Sequence, residues 1–194
     1  MQTISWQPYH AIYPREKGHQ TSGNIQVSRD VHSPALKNDR DILVYLPPSY
    51  DISRRRYPVL YMQDGQNLFD PATSFAGEWG VDEALEMLAA ETGLEAIVVG
   101  IPNSGKGRLD EYSPFHEPRG GGKGNLYLSF VSYRLKPMID ARFRTLPDRK
   151  HTGIMGSSMG GLISLYGFFH REQVFGFAGV MSPSFWFGHG AIFD

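Results

Sequence analysis

The 194 residues contain no cysteine. That excludes disulfides, thiol chemistry and any thiolate metal site. Surplus charge is also missing: the formal net charge is −1, so nothing draws the chain toward nucleic acid or an anionic membrane surface. The one concentrated basic run, Arg54-Arg55-Arg56, is short and is followed by Tyr57-Pro58; it reads as a solvated turn between strands. No apolar stretch approaches the ~18 residues that a membrane-spanning helix needs. The start, Met1-Gln2-Thr3-Ile4-Ser5-Trp6-Gln7-Pro8, lacks the basic-then-apolar pattern of a leader peptide. The expectation is a cytoplasmic chain with no cofactor, no bound metal, and no membrane or nucleic-acid partner. The length suits one domain with a real core.

What the chain does have is the run Gly156-Ser157-Ser158-Met159-Gly160-Gly161. His151 to Met155 before it reads as a short buried strand, and Leu162 to Phe169 after it as a helix apolar on nearly all sides. Strand, G-x-S-x-G, helix is the arrangement of a nucleophile elbow, whose glycines let strand and helix approach closely. Such a turn lifts Ser158 Oγ clear of the sheet. It also sets free helix-terminal N–H groups beneath the hydroxyl, which suits an oxyanion and therefore acyl transfer. The bland alternative is an ordinary glycine-rich turn.

Taken with Leu46-Pro47-Pro48-Ser49-Tyr50, Tyr61-Met62-Gln63-Asp64-Gly65-Gln66-Asn67-Leu68-Phe69 and Ser182-Pro183-Ser184-Phe185-Trp186, this run resembles the "Putative esterase" (esterase D-like, enterochelin esterase-like) family of α/β-hydrolases. The resemblance extends from about Gly23 to Trp186. It implies an α/β-hydrolase three-layer sandwich, with a mainly parallel sheet and an antiparallel N-terminal edge. It also implies a serine carboxylic ester hydrolase working through an acyl-enzyme on a small-molecule ester. Ser158 would be the nucleophile, and the backbone amides of Gln66 and Met159 the oxyanion donors.

In chain order, residues 1–22 read as an extended arm and residues 23–194 as the hydrolase domain. Alternation over Gly23–Val31 suggests an antiparallel edge strand, and Asp41–Leu46, Tyr57–Met62, Ala96–Ile101 and Gly176–Met181 suggest further strands. Asp64 follows a strand, either as a turn residue capping local amides or as a polar group lining the substrate cleft. Trp79 precedes a helix ending near Thr92, either as a core aromatic or as part of an acyl or aryl pocket. Phe185, Trp186 and Phe187 are placed near Ser158, so the expected substrate has an apolar or aromatic part. Gly100 to Lys106 nearly spells a phosphate-binding loop, but Gly107 stands where a Ser or Thr is required and no helix follows directly. Asn125 is expected to cap a helix that Pro137 kinks or splits.

An α/β-hydrolase places its acid and then its histidine after the nucleophile. The 36 residues after Ser158 offer only Glu172, Asp194, His170 and His189. Twelve residues along a helix put His170 ~18 Å from the helix start, at the wrong end of the sheet, and Glu172 with it. His189 follows the last strand, on the face where a general base would sit, but reads better as a loop residue. The family places its acid and histidine after two further strands, so the chain reads as truncated at its C-terminal side, with its last strand an exposed edge suited to self-association into a homo-oligomer. Two other functions stand beside hydrolysis: acyl transfer to another acceptor, and a catalytically impaired fold used for binding.

Overall fold

The computed structural model describes residues 5–75 and 77–193. In chain order the elements begin with β1 (Gln7–Pro8), α1 (Tyr9–Ile12), β2 (Asn24–Ser33), β3 (Asn38–Leu46) and β4 (Val59–Gln63). Next come α2 (Val81–Thr92), β5 (Ile97–Ile101), α3 (Arg108–Glu111) and a small hairpin, β6 (His116–Glu117) with β7 (Gly120–Gly121). Then follow α4 (Gly124–Phe130), α5 (Lys136–Arg142), β8 (Thr152–Ser157), α6 (Met159–His170) and β9 (Phe177–Met181).

Seven strands form one twisted sheet in the order β1-β2-β3-β5-β4-β8-β9. The N-terminal strands pair antiparallel through β3 and β5, whereas β5, β4, β8 and β9 run parallel. The alternating run at residues 23–31 therefore lies one place in from the edge, because β1 pairs outside it. The arm is not simply extended: it forms β1, the single turn α1 and a 3-10 turn at Arg15–Lys17.

The central parallel strands β4 and β5 are apolar on both faces, as a strand covered by helices on both sides must be. Val59, Tyr61 and Val99 face one core, with Leu128, Val131, Leu135 and Ile139 from the α4–α5 region and Met159, Leu162 and Ile163 from α6. Leu60, Met62 and Val98 face the other, under Tyr9 of the arm, Trp79 and Val81 and Leu85 of α2. The three layers follow from this alternation.

Asn125 does not cap its helix. Lys123 occupies the N-cap position without a side-chain cap bond, and Asn125 Nδ2 instead donates to Tyr166 Oη at 3.3 Å. Pro137 does divide the helix. A π-helical segment, Val131–Leu135, separates α4 from α5 and puts Pro137 in the first turn of α5, where its missing N–H is tolerated.

Candidate active site

β8 runs into α6 through Ser157 and Ser158. The turn is so tight that a Cβ on Gly156 would lie 2.6 Å from the backbone carbonyl of Gly160, so only glycine fits there. Ser158 has φ 57° and ψ −120°, a conformation that L-residues avoid and that persists only where its surroundings enforce it. Those surroundings are visible. Ser158 N–H donates to Met181 O at 3.0 Å, and Ser158 O accepts from Ser184 N–H at 3.0 Å. Ser158 is exposed as a residue, and its hydroxyl lies 3.0 Å from Ser184 Oγ. Met159, the first residue of α6, keeps its amide at the positive end of the helix dipole. Among the described residues no acceptor takes that amide.

The loop after β4 adjoins this turn. Asp64 has φ 55° and leads into a 3-10 turn over Gly65–Asn67. A Cβ on Gly65 would meet the backbone of Gly100 and Ile101 at 2.6 Å, so the loop is pressed onto the end of β5. On its other side, a Cβ on Gly160 would be 3.3 Å from Asp64 Oδ2. The Gln66 amide, like that of Met159, has no acceptor among the described residues, while Gln66 Oε1 accepts from Asn103 N–H at 3.1 Å. The loop is braced from behind. Arg108 donates to both Asp64 carboxylate oxygens at 2.8 Å, Asn103 Nδ2 donates to Oδ1 at 2.7 Å, and Asp64 N–H donates to Tyr112 Oη at 3.0 Å. The hydrogen bonds to Asp64 raise the Arg108 pKa against the lowering effect of burial. Beside Gln66 opens a cleft of about 400 Å³ lined by Phe75, Pro102, Asn103, Gly105 and Arg108.

Two of the expected substrate contacts, Asp64 and Trp79, have partners within the fold. The Asp64 carboxylate is buried and committed to Arg108 and Asn103, so it braces the loop and offers the cleft no free polar group. Trp79 is half-buried and packs against the core that contains Met62 and Val98, on the face opposite Met159 and Leu162 of α6. Trp186 is 61% exposed, with the Arg119 guanidinium 4.9 Å from its ring centroid. Its ring lies 5.9 Å from that of Phe187. His170, exposed at the far end of α6, stacks on Tyr166. His189 is exposed, with φ 57°. Among the described residues no histidine hydrogen-bonds Ser158, whose Oγ meets only Ser184 Oγ.

Ser184, Arg108 and Asn103 were not singled out from the sequence. Ser184 stands inside the quoted Ser182–Trp186 motif, which was the available signal. Arg108 and Asn103 bear on Asp64 across 44 and 39 positions, a separation that no local pattern reports. A further carboxylate group, Glu78, Asp82 and Glu83, has oxygens within 4.8 Å of one another at the start of α2. Burial raises Asp82 to about 7.

Residues 33–189 match the family model described as "Putative esterase", and the chain belongs to that family. YbbA of Bacillus subtilis (strain 168), described as an uncharacterized protein, is 31% identical over 161 residues, covering 79% of this chain and 60% of that one. The siderophore triacetylfusarinine C esterase of Aspergillus fumigatus is 28% identical over 165 residues, covering 78% of this chain and 54% of that one. The solved IroE-like serine hydrolase of Shewanella oneidensis superposes with a TM-score of 0.72 at 25% identity, covering 87% of this chain and 54% of that one. The chain thus spans 54–62% of the length of the curated relatives it matches. The sheet and its helices are those of the α/β-hydrolase esterases. No helix among the described residues is long and apolar enough to cross a membrane.

Proposed function

We propose that this chain carries the nucleophile of a serine carboxylic ester hydrolase. The turn at Ser158 acts as a nucleophile elbow. Ser158 Oγ attacks the acyl carbon, its proton passes to a base, and the carbonyl oxygen becomes an oxyanion held by the amides of Met159 and Gln66. Loss of the alcohol leaves an acyl-enzyme that water then hydrolyses. The observation that carries this reading is the strained, exposed Ser158 at φ 57° on a strand-to-helix turn, followed directly by the Met159 amide, which has no acceptor among the described residues; the Gln66 amide, likewise without one, lies on the loop that adjoins the turn through Asp64 and Gly160. The cleft lined by Phe75, Pro102 and Arg108 next to Gln66 suits an ester with an apolar or aromatic part. The test is hydrolysis of p-nitrophenyl acetate by the chain and by Ser158→Ala: the variant should lose whatever enzyme-dependent rate is present.

A second reading, a fold used for binding without turnover, draws on one observation: Ser158 meets no histidine among the described residues. A serine without a base is a weak nucleophile at neutral pH. The 194-residue chain alone should therefore turn over slowly. Its residual rate would be of the kind that oxyanion donors and binding give by themselves, ~10³–10⁴ over water in a complete protease scaffold. Product analysis with an added alcohol separates hydrolysis from acyl transfer on the same parts.

A further inference from the structure

We propose that Ser184 belongs to the reaction centre: its hydroxyl donates a hydrogen bond to Ser158 Oγ and holds the nucleophile in place with that oxygen's own proton left for the base. This rests on Ser158 being the nucleophile.

The two hydroxyl oxygens are 3.0 Å apart, and Ser184 is 3% exposed. The pairing is built by the backbone. Residues 181–184 bracket the turn, since Ser158 N–H donates to Met181 O and Ser184 N–H donates to Ser158 O, both at 3.0 Å. The same segment lies on the first turn of α6. A Cβ on Gly161 would sit 3.1 Å from Met181 O and 3.2 Å from Pro183 Cα. Ser182 has φ 39°, in the left-handed region, so the segment is held in a conformation that ordinary chain does not choose. The backbone of Ser184 is held on its other side too, since Ser184 O accepts from Phe187 N–H at 3.0 Å. Filling this space would require no hydroxyl; an alanine would do.

The direction of the bond follows from the chemistry. A hydroxyl has one proton and two lone pairs. A serine nucleophile must surrender its proton to a base, so in the reacting arrangement the Ser184 hydroxyl is the donor. When the tetrahedral intermediate of the acyl-enzyme collapses, the bond from carbon to Ser158 Oγ breaks and its electron pair returns to Oγ. A donor already on that atom stabilises the charge until the base returns its proton.

Because the chain has no cysteine, Ser158→Cys introduces a single thiol at the reacting position, whose only hydrogen-bond partner among the described residues would be Ser184, and its ionisation can be followed directly. The experiment is the pH profile of iodoacetamide alkylation for Ser158→Cys alone and combined with Ser184→Ala, Ser184→Thr or Ser184→Val. A donated hydrogen bond favours the thiolate. Ser184→Ala should therefore raise the thiol's pKa by roughly 0.5–1 unit; Ser184→Thr should keep the lower value, and Ser184→Val, the same shape without a hydroxyl, should lose it. A structural role alone would change melting temperature and alkylation rate without moving the pKa. An unchanged or lowered pKa in Ser184→Ala, or equal values for Ser184→Thr and Ser184→Val, would overturn the proposal. The parent reading is judged separately: a thiol in Ser158→Cys alone with a pKa near the ordinary ~8.5 would count against the helix terminus and oxyanion donors, whatever Ser184 does.

Discussion

Asp82 is completely buried at the start of α2. Burial raises its carboxyl to about 7; the bond from the Ser22 amide works against that, and Glu83 beside it adds to it. A carboxyl whose folded pKa lies above its unfolded value holds a proton in the folded chain that the unfolded chain has released. Stability therefore falls as pH rises from ~4 to about 7. Asp82→Asn keeps an acceptor for the Ser22 amide, which reaches Oδ2 at 2.6 Å, and removes the ionisation. The variant's melting temperature should fall less steeply than the parent's between pH 5 and 8. At pH 8 it should exceed that of the parent chain by about 2–4 °C for each ~1 kcal/mol recovered. Equal slopes for the two proteins would refute this. Asp70 runs the other way. Burial tends to raise its pKa, but bonds from Tyr9, Ala72, His19 and Gln20 outweigh it and hold the carboxyl below its ordinary range. Its contribution is complete above the unfolded pKa and disappears as pH falls through the folded one. The arm carrying Tyr9, His19 and Gln20 should become sensitive to proteolysis below pH ~4 before the sheet unfolds, as followed by mass-mapped cleavage.

At the scale of elements, the proposed pairing of the Gln66 and Met159 amides on one oxyanion requires the loop after β4 and the turn after β8 to stay in register. Arg108 on α3 holds the first through its two bonds to Asp64. Arg108→Ala leaves a buried carboxylate short of donors and should cost about 1–3 kcal/mol. Amide hydrogen exchange should quicken at Gly65–Asn67, while β8 is unchanged. Arg108→Lys should not restore the slow exchange, because an ammonium cannot reproduce the fork. Slow exchange in Arg108→Ala would show that the loop needs no brace. Gly156→Ala tests the second element: its Cβ would meet Gly160, at a cost of about 1–3 kcal/mol, seen as a lower melting temperature. The elements themselves were legible where a period repeats. The apolar runs of β4, β5 and β8, and the helix ending at Gly93, are local facts of spacing. Asp64 and Trp79 were not legible. Whether Asp64 faces a cleft or a guanidinium depends on Arg108, 44 residues later. Which face Trp79 covers depends on how α2 crosses the sheet, which periodicity does not encode. Ser158 was legible because glycine spacing and flanking apolar runs together record a strained turn, whereas Ser184 needed the fold to bring β9 alongside β8.

At the scale of the whole molecule, β9 forms one edge of the sheet among the described residues, and Phe177 and Met181 on it are 43% and 45% exposed. An apolar edge with unpaired backbone groups favours association. Sedimentation velocity should show a weight-average mass that rises with concentration, and less so for Phe177→Lys; a strictly monomeric chain at all concentrations would contradict this. The central claim, however, concerns Ser158. The most direct measurement is the p-nitrophenyl acetate rate of the chain beside that of Ser158→Ala, with the intact mass of each protein recorded after long incubation. The account predicts a low rate and a single acetyl adduct mapping to Ser158, both absent from Ser158→Ala. A rate or an adduct that survives Ser158→Ala would contradict it.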